Sequence, residues 1–221
     1  MKTLFISPHP DDETLGCGGT IFKHGSQGDE LYWLNITGIS EKMGFSKERV
    51  QAREQEINEI SKKFRFSRHI NLQLPTTKLD SLPMGELIEK ISEVYKEIEP
   101  QVIYTPYIYD VHTDHNIIAK ALNSTIKWFR HPYIKKVLSY ETTSETEFNF
   151  LEGKRFKPNV YINISNHLNQ KIEAMKIYKS EVGDFPFPRS EKTIRSLAYL
   201  RGSQSGFEAA EAFQLAYERQ F

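Results

Sequence analysis

The chain opens with a strand-like run, Lys2-Thr3-Leu4-Phe5-Ile6. It stops at Ser7-Pro8-His9-Pro10-Asp11-Asp12-Glu13 and passes at once into Gly16-Cys17-Gly18-Gly19. An apolar strand that delivers a polar cluster and then a glycine-rich helix entry is the first half of a βα unit. In α/β proteins, ligands bind at the carboxyl ends of such strands. His, Asp, Asp and Glu at a strand end therefore point to chemistry rather than to core filling.

The alternation continues along the chain. Strand-like segments fall at 31–37, 69–74, 102–105, 137–141 and 158–164. The spacing predicts helices over 14–23, from Ser46 onward (Val50, Ile57, Ile60 and Phe64 on one face), over 87–98 and over 116–129, then over 167–178, 191–201 and 207–218. Ser46 with Arg49 lacks a full capping box, so that helix start is fixed only to within a turn. Helices of roughly 10–15 residues between strands imply βαβ crossovers and a mainly parallel sheet. The expected fold class is α/β, with helices forming the C-terminal part. The loop over 183–188 is the segment expected to be mobile.

No repeat, low-complexity tract or linker divides the 221 residues, which suit a single domain over 1–221. Lys+Arg and Asp+Glu both number 29, so the basic excess that nonspecific nucleic-acid binding needs is missing. No apolar run approaches the ~20 residues of a membrane span. The N-terminus lacks the pattern of a signal peptide. Cys17 is the sole cysteine, so no internal disulfide can form, which fits a reducing cytoplasm.

A second polar cluster, Tyr109-Asp110-Val111-His112-Thr113-Asp114-His115, follows the fourth strand. In a doubly wound sheet of order 3-2-1-4-5, strands one and four are neighbours at the switch point. His9, Asp11, Asp12, His112, Asp114 and His115 can then share one crevice. Imidazole and carboxylate suit a catalytic zinc with three protein ligands and water in the fourth position. Adjacent side chains diverge, so one of Asp11 and Asp12 would bind the metal and the other would face its water. His112 and His115 divide likewise into one ligand and one group free to act on substrate. Zinc lowers the pKa of its water to roughly 7, and a neighbouring carboxylate can take the proton as the water attacks a carbonyl.

His9-Pro10-Asp11-Asp12-Glu13, the Gly16-Cys17-Gly18-Gly19 helix entry and His112-Thr113-Asp114-His115 together resemble the PIG-L/LmbE superfamily of zinc-dependent N-acetylglucosaminyl deacetylases. Arg53, within Ala52-Arg53-Glu54-Gln55-Glu56, and the segment from Arg201 to Phe213 extend the resemblance over nearly the whole chain. Thr113 stands where many relatives have proline, at a non-ligand position.

The resemblance implies a Rossmann-like three-layer sandwich whose glycines serve helix–sheet packing. It assigns His9, Asp12 and His115 to zinc and makes Asp11 the general base. His112 would stabilise the oxyanion and protonate the leaving amine, Asp114 would orient His112 and favour its charged form, and Arg53 would contact the substrate. The implied reaction removes acetyl from a small N-acetylated amino sugar or its conjugate. An N/O site also admits Fe2+, cobalt or manganese. Relatives often form rings, which leaves a homo-oligomer open. Hydrolysis of another amide or ester, and non-catalytic sugar binding, are the competing readings.

Blander readings apply elsewhere. His24, His69, His131 and His167 read as surface or satisfied histidines, and Cys17 as a small buried hydrophobe. Glu13 reads as a support of the site or as a helix N-terminal acid. Arg53 could pair with Glu54 or Glu56 on its own helix. Tyr107, Tyr109 and Phe187 could stack on a sugar or pack in the core.

Overall fold

The computed structural model describes residues 1–220. Among these, seven strands build one sheet: β1 (Lys2–Ser7), β2 (Glu30–Gly38), β3 (Arg68–Pro75), β4 (Val102–Pro106), β5 (Lys136–Tyr140), β6 (Val160–Asn163) and β7 (Ala210–Glu218). Their order is β3-β2-β1-β4-β5-β7-β6. The first five run parallel, and β7 is antiparallel to both β5 and β6.

The helices are α1 (Asp12–Ser26), α2 (Lys47–Phe64), α3 (Met84–Ile98), α4 (Thr113–Thr125), α5 (Leu168–Met175) and α6 (Glu191–Ser205). They cover both faces of the sheet. Phe5, Leu31, Trp33 and Tyr104 face a cluster with Leu15, Ile21, Ile57, Ile60, Ile172 and Ile194 of α1, α2, α5 and α6. Leu4, Ile6, Leu34 and Ile103 face the opposite cluster, with Leu87, Ile91, Ile118 and Leu122 of α3 and α4. This is why β1 and β2 read as continuous apolar runs rather than alternating ones. Each fully buried side chain of this size contributes about 1.5–3 kcal/mol.

α1 leaves β1 toward one face and α4 follows β4 on the other. The carboxyl ends of β1 and β4 therefore diverge around a crevice, which is the topological switch point. The glycines that open α1 let it lie close to the sheet. A Cβ on Gly16 would come within 2.2 Å of the Tyr140 ring, and one on Gly19 within 2.7 Å of Ile164.

One element departs from expectation. Residues 210–218 form β7 rather than the end of a helix over 207–218. The Ala- and Glu-rich run favours helix locally, but β5 and β6 both need a neighbour, and the inserted strand completes two ladders. The C-terminal helices are therefore α5 and α6, and a strand closes the fold. α4 also ends at Thr125, short of residue 129, and leaves Trp128 and Phe129 exposed.

Candidate active site

The loop after β1 is fixed before it reaches the cleft. Pro8 O accepts from Thr37 N at 3.0 Å and from Thr37 Oγ1 at 2.7 Å, which ties it to β2. Asp12 then begins α1. Its Oδ2 accepts from His9 N at 2.8 Å and lies 3.4 Å from His9 Nδ1 and 3.2 Å from His115 Nε2. One donor atom from each of His9, Asp12 and His115 falls within 4.8 Å of the others, so the three residues assigned to a metal do converge.

His115 Nε2 is buried and makes no hydrogen bond, although the other ring nitrogen is well held. Nδ1 lies 2.8 Å from Asp110 Oδ2, and Thr146 Oγ1 donates to Asp110 Oδ1 at 2.6 Å. A carboxylate behind an imidazole fixes the ring and raises its basicity, the usual arrangement behind a metal-ligating histidine. His9 has the same support, since its Nε2 lies 3.0 Å from Asp114 Oδ2. Asp110 lies inside the second polar cluster but carried no separate expectation.

Asp114 differs from its expected role. Its carboxylate holds His9 and accepts from Thr77 N at 2.7 Å and Leu79 N at 3.2 Å. It meets His112 through its backbone N–H, which donates to His112 Nδ1 at 3.1 Å. The reason is local: α4 begins at Thr113, so His112 is its N-cap and Asp114 turns toward the loop after β3. Burial, with the charges of His9 and His115, brings the His112 pKa down to about 4. Asp114 pulls toward the charged form, as expected of it, but burial outweighs that pull. With Nδ1 accepting, the neutral ring carries its proton on Nε2.

Asp11 is buried at the start of α1 with φ 136°, a conformation that costs about 1–3 kcal/mol in a non-glycine residue. Its neighbours hold it there. Its N–H donates to Glu13 Oε2 at 3.1 Å, and its carbonyl accepts from Thr14 N and Leu15 N. Glu13 in turn accepts from Thr14 Oγ1 at 2.6 Å and Tyr178 OH at 2.8 Å. Glu13 therefore supports the site. The Asp11 side chain caps nothing. Burial pushes its pKa well up, against the pull of Arg189.

Arg189 was not singled out by sequence. Its Nη1 donates to Asp11 Oδ2 at 2.7 Å and to Glu181 Oε2 at 3.0 Å, and its Nε donates to Ser144 Oγ at 2.9 Å. Arg53 donates to Pro10 O at 2.9 Å and pairs with Glu181, and its Nε lies 3.5 Å from Glu56. The helix-internal pair and the site contact therefore coexist. Through these two arginines the segment around 180–190, which includes the loop expected to be mobile, is anchored to the site.

A cleft of about 350 Å³ opens over these groups, lined also by Phe45, Arg49, Thr76, Thr77 and Glu145. Tyr107 is buried with its OH on Lys154 O and Arg155 O, and Phe187 packs against Gly183, so neither lines the cleft. Tyr109 sits beneath Lys154, also away from it. His24, His69, His131 and His167 lie outside the cleft, and Cys17 is buried with its thiol pKa pushed up by burial.

The donor set fits a divalent cation. It offers two imidazoles and a carboxylate, converging around a buried nitrogen that lacks a hydrogen-bond partner, with carboxylates behind both rings.

Comparison with known proteins agrees with this layout. Diacetylchitobiose deacetylase of Thermococcus kodakarensis is 24% identical over 227 aligned residues, covering 96% of this chain and 82% of the relative. The conserved protein TT1542 of Thermus thermophilus superposes with a TM-score of 0.78 at 24% identity, covering 99% of this chain and 96% of that one. GalB, the 4-carboxy-2-hydroxymuconate hydratase of Pseudomonas putida KT2440, superposes with a TM-score of 0.75 at 16% identity, covering 100% and 98%. The fold alone therefore does not select a reaction. The family model of PIG-L, GlcNAc-PI de-N-acetylase, matches residues 4–126, a span that is more than half of the chain and holds both polar clusters, and the chain belongs to that family.

Proposed function

We propose that this chain is a metal-dependent hydrolase that removes the acetyl group from an N-acetylglucosamine-type sugar or sugar conjugate. The observation that carries the reading is the convergence of His9, Asp12 and His115, with the buried His115 Nε2 3.2 Å from Asp12 Oδ2 but without a hydrogen bond, in a chain of this family. His9, Asp12 and His115 would hold the ion, zinc first and Fe2+ or another divalent metal as chemically admissible occupants. When bound, the cation supplies Lewis acidity toward the acetyl carbonyl and makes water a better nucleophile.

The chain's own residues do the rest. Asp11 Oδ2 is engaged by Arg189, which leaves Oδ1 to take a proton from the attacking water. A carboxylate whose pKa is pushed up by burial is a better base than an exposed one. The same proton passes from Asp11 to the amide nitrogen as the C–N bond breaks, so that acetate and a free amine leave. His112 Nε2–H is the neutral donor for the carbonyl oxygen as it gains charge. Arg53 orients the sugar from α2. The whole of 1–221 acts as one domain, since β7 threads between β5 and β6 to complete the sheet. No helix among the described residues is long and apolar enough to cross a membrane.

The test is acetate release from a panel of N-acetylated amino sugars and their conjugates, on metal-analysed protein with and without chelator. Chelator-sensitive release from a member of the panel is the expected result. A metal-loaded protein that releases phosphate from phosphoesters and acetate from none would overturn the reading.

A further inference from the structure

Three arginines line the cleft, and they are not alike. Arg53 is neutralised by Glu181 and Glu56, and Arg189 by Asp11, Glu181 and Glu145. Arg49 makes no ion pair among the described residues, although it lines the same cavity. It is not loose, however. Its guanidinium carbon lies 5.4 Å from the centroid of the half-buried Phe45 ring, a cation–π contact that uses one face of the plane. The N–H edges remain free, and the edges are what bind a carboxylate or phosphate in fork geometry.

Position adds to charge. Arg49 and Arg53 are four residues apart on α2, so they share a face, with Arg49 about 6 Å nearer the helix N-terminus. Arg53 reaches Pro10, inside the loop that carries His9 and Asp11. If the acetylated sugar lies over that loop, Arg49 addresses what is attached beyond it. The cleft's other walls near a sugar offer backbone and hydroxyl groups, from Gly38, Thr76 and Thr77. A neutral aglycone would leave the Arg49 charge unused, whereas an anionic one would meet a cation that no protein carboxylate already occupies.

Resting on the deacetylase reading above, we propose that Arg49, backed by Phe45, is a specificity-determining residue that selects an aglycone bearing an anionic group, a carboxylate or a phosphate. The experiment compares three N-acetylglucosaminides on metal-loaded protein: the neutral methyl glycoside, a glycoside of a hydroxy acid, and the 1-phosphate. Wild type prefers an anionic member by kcat/KM, the preference residing in KM. Arg49→Gln cuts the anionic-to-neutral ratio roughly tenfold to a hundredfold, and Arg49→Lys, which keeps the charge without the fork, cuts it less. Raising the salt concentration erodes the preference in wild type and not in Arg49→Gln. The arm whose ratio depends more on Arg49 identifies carboxylate or phosphate as the source. An unchanged ratio in Arg49→Gln, or equal use of all three by wild type, overturns the proposal.

Binding of the corresponding amino-sugar products to metal-free protein, followed by calorimetry, separates this claim from the reaction. Tighter, Arg49-dependent binding of the anionic products without any acetate release would keep the anion subsite and overturn the deacetylase reading. Acetate release with equal binding of neutral and anionic products would do the reverse.

Discussion

Helix α1 touches two buried clusters of charge, and they differ in one respect. At its N-terminus lie Asp11 and Asp12, facing His9, His115 and Arg189. Seven residues on, a Lys171–Glu211 pair is buried against its glycines at 2.6 Å. There every group is matched: Lys171 Nζ donates to Leu15 O at 2.7 Å, and Glu211 accepts from Gly19 N at 2.9 Å and Thr20 N at 2.7 Å. The pair spans the helical step between Leu15 O and Gly19 N and ties α1 to α5 and β7. The N-terminal cluster buries Asp11, Asp12 and His115 as deeply yet leaves His115 Nε2 without a hydrogen bond. A buried charge cluster whose hydrogen bonds are all made is structural, whereas one that converges on a nitrogen without a hydrogen bond is built for something added.

Substitutions can break or sharpen this contrast. The largest effect is expected from Asp11→Asn, which should lower kcat by about 10²–10⁴ while metal content stays at the wild-type level. Steady-state kinetics beside metal analysis reads both, and wild-type turnover would remove Asp11 from its role. Glu211→Ala should act on the other cluster alone. It leaves the Lys171 ammonium buried without its partner and should cost about 3–5 kcal/mol in urea unfolding, with metal affinity of the folded protein unchanged. The double variant Lys171→Met/Glu211→Gln should regain part of that loss. Loss of metal binding in Glu211→Ala would mean that the two clusters are not separable.

Asp110→Asn comes next. Weakening the support behind His115 should lower metal affinity about 10–100-fold, with little change in unfolding free energy. The smallest effect concerns His69, whose Nε2 is also buried and unpartnered, with the ring stacked 4.2 Å from Trp33. No metal-ligating cluster forms around it among the described residues, so His69→Phe should not alter metal binding. Burial lowers its pKa from 6.5 to about 4. Between those values the unfolded chain takes up a proton that the folded chain refuses. Its contribution to stability is therefore complete above pH 6.5 and is lost as pH falls toward 4. In His69→Phe the stability–pH curve should be flatter over that window, and an unchanged slope would contradict the assignment.

The sequence carried the residues that sit at strand ends. His9, Asp12 and His115 were legible because β1 and β4 each deliver a polar cluster, and the crossover pattern makes those strands neighbours. Direction was harder to read than membership. Asp114 lies in the right cluster, but only the start of α4 at Thr113 reveals that its carboxylate takes its hydrogen bonds from His9 and the 76–79 loop while its backbone N–H meets His112. Arg189, Glu181 and Glu145 come from irregular segments with no period or motif, so nothing local marks them. β7 was hidden by composition, because alanine and glutamate favour helix wherever the vacancy between two strands cannot be seen.

The central claim is that the cluster at the head of α1 holds a metal and the cluster beneath it does not. Calorimetric titration of metal-free protein with Zn2+ tests this most directly, on wild type, His115→Ala and Glu211→Gln. The account predicts one ion per chain in wild type and Glu211→Gln, with binding lost or weakened by more than about tenfold in His115→Ala. Equal affinity in wild type and His115→Ala, or no binding by wild type, would contradict it.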